Sequence, residues 1–224
     1  MLATVAIEIA LALYALAKYK LSLITKLIIT TLVMLATFQV SEYFVCTGAA
    51  GNTSAWSRLG FAAITVLPPL GLHILHLAAK KPGRRLVFLA YASMAAFIGF
   101  FILYSGAFTG HQCTGNYVIF QVAEKAGGLF GLYYYGWLAT SLTLGALWAD
   151  QLMHKGKKAR QILLSVRALM IGWLIFLVPT ALAYSVAPEA RQAIPSVMCG
   201  FAVLYALILT LVVLPRVGRL KPRA

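Results

Sequence analysis

The sequence predicts an all-α membrane protein, seven transmembrane helices forming one bundle and one domain over residues 1–224, and three observations carry that prediction. Of the 224 residues 62% are hydrophobic and 11% charged, whereas about 25% of a soluble domain is charged. Apolar runs near the roughly 20 residues needed to span a bilayer core recur seven times, and mean hydropathy is +0.87. Most of the basic residues between those runs fall on one side of the membrane. Together these features exclude a water-soluble enzyme and a disordered chain.

The first run, residues 2–17, is short and contains Glu8. No basic segment precedes it, so it is expected as a retained helix and not a cleaved signal peptide. Lys18-Tyr19-Lys20 separates it from the second run, 21–45. The third, 57–79, ends at Lys80-Lys81-Pro82-Gly83-Arg84-Arg85, and the fourth covers 86–105. The fifth, 128–152, ends at a basic stretch from His154 to Lys158; the sixth is 162–186 and the seventh 190–214, followed by Pro215 and a basic tail. The one long connection, 106–127, contains a Gly115-Asn116 turn signal followed by β-prone residues, and is expected to form a lid over one mouth of the bundle.

Sixteen of the nineteen Lys and Arg residues, from Lys18 to Arg223, share one side of this arrangement; Arg58, Lys125 and Arg191 lie opposite, beside Glu42, Glu124 and Glu189. The positive-inside bias then sets the N-terminus outside and the C-terminus in the cytoplasm of a multi-pass protein of the inner (plasma) membrane. The net charge of +14 is therefore a topology signal, with anionic lipid headgroups on the cytoplasmic side as its partners. Those charges lie in short loops without interleaved aromatics, so nucleic acid is not an expected partner.

Cys46 and Cys113 both fall on the outer, oxidising side, where a disulfide is the first reading. Two free thiols, or a metal site with Glu42 and His111, are the alternatives. Cys199, inside the seventh run, is expected as a packing residue.

Ionisable groups within spans are costly and become functional candidates. Gln39, Glu42 and Cys46 share one face of the second helix. Glu42 either holds a proton, a cation or a ligand amine, or is wetted at headgroup level; Glu8 would join the same cluster. On the third helix Pro68-Pro69 invites a kink, and His73 follows in the far half, either bridging helices or contacting a proton or ligand. His76 reads as interfacial. Tyr133, Tyr134, Tyr135 and Trp137 are an aromatic belt or a pocket wall. The expected ligand-binding residues are Gln39, Glu42, His111, Asn116, Tyr134 and Trp137 toward the outer mouth, and His73 in the far half of the third helix.

No catalytic constellation, metal centre or cofactor is expected. Both membrane histidines occupy one helix, which excludes bis-imidazole haem ligation. The last helix lacks the paired histidines of zinc hydrolases resembling the adiponectin-receptor group, and it lacks a lysine for a retinal Schiff base.

The stretch Trp56-Ser57-Arg58-Leu59-Gly60 followed by Leu67-Pro68-Pro69-Leu70 resembles the third helix of the seven-helix sensor regions at the N-terminus of some bacterial histidine kinases. Small stand-alone bacterial seven-helix membrane proteins of unknown function are built alike. The resemblance covers about residues 37–85 and implies a sensor or receptor-like protein. The chain runs about ten residues past the seventh span with no phosphoacceptor or ATPase segment, so output is expected to pass through a separate signalling partner. The alternative is a small transporter or proton-coupled carrier using Glu42 and His73, and the third reading an intramembrane enzyme.

Overall fold

The computed structural model describes residues 2–49, 51–113, 118–156, 159–186 and 194–220. Asn116, Glu189, Arg191, Lys157, Lys158, Lys221 and Arg223 lie outside these residues, as do the side chains of Glu124, Lys125 and Cys199. The helices are α1 (Leu2–Lys18), α2 (Leu23–Thr47), α3 (Thr53–Ala78), α4 (Arg84–Leu103), α5 (Glu124–Met153), α6 (Arg160–Val186) and α7 (Ile194–Leu207). A π-helical stretch, Ile208–Val213, and a short α8, Leu214–Val217, continue α7 without a break. Between α4 and α5 an antiparallel hairpin pairs β1 (Phe108–Cys113) with β2 (Val118–Val122). Five stretches of the described residues are long and apolar enough to cross a membrane: Leu23–Thr47, Thr53–Ala78, Arg84–Leu103, Arg160–Leu182 and Gly200–Val217. The chain is a mostly helical, multi-pass membrane protein.

Caps place the helix ends. The Ser22 side chain accepts the Thr25 amide hydrogen at 3.4 Å and opens α2. Gly48 closes it in the left-handed region at φ 64°, which glycine reaches without steric cost. Asn52 accepts the Ala55 amide hydrogen at 3.1 Å, so α3 begins at Thr53, ahead of its apolar run.

α3 is the axis of the bundle and packs against α2, α4, α5 and α6. Small residues let neighbours approach it: a side-chain carbon on Gly71 would sit 3.3 Å from the Trp173 ring of α6. Mid-helix, Pro68 and Pro69 lack amide hydrogens, so the carbonyls four residues back, of Ile64 and Thr65, lose their helical donors. Water cannot supply a replacement inside a bilayer. For Thr65 the replacement is Tyr133 of α5, whose hydroxyl donates to the Thr65 carbonyl at 2.6 Å.

One apolar core joins α1, α2, α3, α5, α6 and the composite last helix; a second, largely aromatic, joins the hairpin to α2–α5. Leu67 and Tyr134 touch both. The second core includes Phe38, Phe61, Phe101 and Phe130, into which β2 inserts the buried Val118 and Phe120. The long connection is thus a seated plug and not a lid standing over a mouth. At the opposite, basic end, the Lys20 amide donates to the Arg219 carbonyl at 2.7 Å, joining the α1–α2 turn to the segment after α8. Lys81 Nζ donates to Gln151 Oε1 at 2.8 Å, joining the α3–α4 turn to α5.

Tyr133→Phe keeps the ring and leaves the Thr65 carbonyl unpaired. It should cost about 1–3 kcal/mol in a reversible unfolding titration in detergent. Tyr104→Phe, at an exposed ring, should stay within about 0.5 kcal/mol of wild type.

Candidate functional site

The hairpin end of α2 buries the polar side chains of Gln39, Ser41 and Glu42, of which Ser41 donates to the Thr37 carbonyl of its own helix at 2.8 Å. Gln39 and Glu42, one turn apart, are 3% and 2% exposed, so Glu42 is a buried group and not one wetted at headgroup level. One turn further, Cys46 is bonded to Cys113 at the end of β1, with the two Cα atoms 5.7 Å apart. The sulfurs are committed to each other, which removes the free-thiol and metal-ligand alternatives. The Phe120 ring of β2 lies 6.0 Å from that of Phe38 and 5.3 Å from that of Phe61. The hairpin therefore covers the last turns of α2 by one covalent bond and one aromatic contact. His111 lies opposite Phe120 in the strand register but is exposed. Asn116 is outside the described residues.

Tyr134 sits deeper, half-buried where the two cores meet. With Leu35, Leu67, Pro68, Trp173 and Tyr205 it lines a cavity of about 20 Å³, room for about one water. Trp173 Nε1 donates to the Tyr205 hydroxyl at 3.1 Å beside it.

His73 and Trp137 belong to a third place, the seam along α4. His73 Nδ1 shares a 3.2 Å hydrogen bond with the Tyr91 hydroxyl, and Trp137 Nε1 donates to Ser93 Oγ at 3.0 Å. Twenty residues of α3 separate Thr53 from His73, about 30 Å along the helix axis, whereas Glu42 lies near the hairpin end. The structure therefore brings Gln39 and Glu42 together under the hairpin and leaves Tyr134, His73 and Trp137 in separate surroundings.

Glu8 is fully buried in α1, and among the described residues neither carboxylate oxygen has a hydrogen-bond partner. It does not bond to the Gln39–Glu42 pair. His76 is also buried: Nδ1 donates to the Lys81 carbonyl at 3.4 Å, and the ring packs edge-on against Trp148 at 4.8 Å. It occupies the space a side chain at Gly83 would need, so it organises the α3–α4 turn.

Arg58 has a role that spacing alone did not disclose. Nη1 donates to the carbonyls of Phe101, Ile102 and Tyr104 at 2.9, 2.9 and 3.0 Å, and Nη2 to that of Ser105 at 3.3 Å. These are carbonyls at the C-terminal end of α4, where a cation also opposes the negative end of the helix dipole. Trp56 stacks on Phe44 with centroids 4.5 Å apart. The Trp56–Arg58 pair that opens α3 thus fastens α2 and α4 to it. A cation beside a helix end some 45 residues away in sequence was the signal available for this clamp.

No protein-family model, curated protein or solved structure matches the chain.

Digestion without reductant should yield a Cys46–Cys113 linked peptide pair. In the Cys46→Ser/Cys113→Ser variant the β2 amides, Val118–Val122, should exchange hydrogen about tenfold faster or more, since the cross-link restricts local opening. Unchanged exchange would mean that the aromatic contacts alone seat the hairpin.

Proposed function

We propose that the chain is a sensor- or receptor-like protein of a bacterial inner membrane that binds a small cationic ligand, of the amine type, at its hairpin end. The observation that carries this reading is the pair Gln39 and Glu42, buried side by side on α2 under a hairpin fastened to that helix by the Cys46–Cys113 bond. A carboxylate and an amide in a protected site offer charge and hydrogen bonding to an ammonium group, and water exclusion strengthens both. The bond itself suits the oxidising face of the membrane. In this reading the hairpin end is outside, the basic end cytoplasmic, and a separate partner receives the signal at the basic end. The likeness of the Trp56–Leu70 stretch to histidine-kinase sensor regions points the same way.

A proton-coupled carrier is the second reading, favoured by the buried and unpartnered Glu8 carboxyl. The distance between Glu42 and His73, and the bond His73 makes to Tyr91, weaken a direct relay between those two groups.

Purified protein should be thermally stabilised by members of a panel of primary and quaternary amines, and in Glu42→Gln the affinity should fall about tenfold or more, as expected for losing a hydrogen bond to a charged group. Binding without uptake into proteoliposomes supports the sensor. Uptake that Glu42→Gln abolishes supports the carrier, and no amine binding rejects the site.

Accessible tags should report Met1 outside and Ala224 inside, because basic residues in short loops set orientation. The reverse result would place the hairpin in the cytoplasm and remove the argument from the disulfide.

A further inference from the structure

The basic end holds a cavity that the hairpin site does not explain. It measures about 520 Å³, within the range of small-molecule pockets. Lys80, Arg216 and Arg219 line it together with Ser22, Ser165 and Gln161, and apolar side chains of α2, α3 and α6 complete the wall. Among the described residues no acidic side chain contributes to the lining.

The backbone adds to the same field. Ser22 is the N-cap of α2, and Gln161 and Ser165 lie in the first two turns of α6. Two long helices thus begin at the cavity, and each presents first-turn amide hydrogens and the positive end of its dipole. The ends of α3 and α8 bring opposing carbonyls, which are partly occupied. The Lys80 and Lys81 amides donate to the Leu77 and His76 carbonyls at 3.2 and 3.0 Å, and the Gly218 amide and the Arg216 guanidinium take the Leu214 and Val212 carbonyls.

Three cations and two helix N-termini around one space repel each other unless an anion enters. The Gln161 side-chain amide and the Ser22 hydroxyl beside the cations suit an oxyanion, whereas the Ser165 hydroxyl donates to the Gln161 carbonyl at 3.0 Å. The apolar wall suits a hydrocarbon chain attached to the anion. We propose that this cavity is a binding site for a phosphate group, carried by an anionic phospholipid of the surrounding leaflet or by a soluble phosphate. The site is set by residues of α2, α3, α6 and the segment around α8, so it stands independently of any ligand at Glu42.

The test measures thermal stabilisation of purified, delipidated protein in detergent. Dioleoylphosphatidylglycerol is compared with dioleoylphosphatidylcholine, and inorganic phosphate with chloride at equal ionic strength. A lipid source predicts stabilisation by phosphatidylglycerol and little by phosphate. A soluble source predicts stabilisation by phosphate, which then competes with the lipid. Lys80→Gln/Arg219→Gln should weaken the effective anion about tenfold or more, given the attraction each cation contributes near a membrane surface. Arg84→Gln/Arg85→Gln, at the same end but outside the lining, should leave it within about twofold, because cations away from the site contribute only a screened, diffuse attraction. Equal loss in the two variants would reduce the effect to diffuse surface attraction and overturn the proposal. So would the absence of any preference for phosphatidylglycerol or phosphate in wild type, a result that needs no variant to fold. Retained amine binding in Lys80→Gln/Arg219→Gln would separate this site from the one at the hairpin.

Discussion

Inside a bilayer a carbonyl that proline deprives of its helical donor has no water to turn to, and the bundle is arranged around one such group, the carbonyl of Thr65. Tyr133 supplies the missing donor at 2.6 Å, which fixes where α5 crosses α3. The ring that carries this hydroxyl packs 4.7 Å from Phe97 and 5.8 Å from Phe130, so the polar repair is built into the aromatic core. That core in turn receives Phe120 of the hairpin. One turn along α5, Trp137 bonds to Ser93 of α4. A backbone requirement at one residue therefore sets the positions of α4, α5 and the hairpin. The first proline of the pair, Pro68, also borders the cavity where the two cores meet.

Polar side chains in the described spans serve helix joints more often than an open pocket. Tyr91 meets His73, Ser93 meets Trp137, and Tyr205 meets Trp173. Each pair spans two helices, and in hydrocarbon such a bond is retained because the alternative is an unpaired group. Arg58 follows the same rule at greater scale, closing the end of α4 with four carbonyl contacts. α4 needs this clamp, because only Ala90 and Phe101 of its residues are buried. Glu8 is an exception to the rule, a buried carboxyl that no described group satisfies; Thr210 Oγ1 and His76 Nε2 are likewise without a partner among the described residues.

The helices were legible because the bilayer imposes length and apolarity on each span, and loops between them carried charge. Their ends were less legible. The cap at Asn52 starts α3 before its apolar run, and Gly48 ends α2 after its own. The Cys46–Cys113 bond followed from both residues sharing the side opposite the basic loops. The shared face of Gln39 and Glu42 was legible, but whether Glu42 was buried or wetted was not, and neither was the seat of the hairpin, because apolar plugs and loose lids have similar composition. Tyr133 read as one of three belt tyrosines. Its partner becomes visible only by counting four residues back from Pro69 and asking where that carbonyl goes. Counting along the third helix places His73 in its far half, but the partner it meets there, Tyr91 of α4, is set by how two helices pack and not by spacing along one.

The two ends of the molecule solve the problem of an open bundle in opposite ways. At one end an aromatic hairpin fills the space between helix ends and a covalent bond holds it, so the polar pair beneath is enclosed. At the other, the chain is joined through contacts such as Lys20 to Arg219 and Lys81 to Gln151, and cations rim a space left open among the described residues. Packing stability at the hairpin end is internal to the chain. At the basic end Lys80, Arg216 and Arg219 share a cavity to whose lining no acidic side chain contributes among the described residues. The last helix runs between the two ends: Tyr205 borders the cavity beside Pro68, and the π-helical stretch that follows leads directly to Arg216.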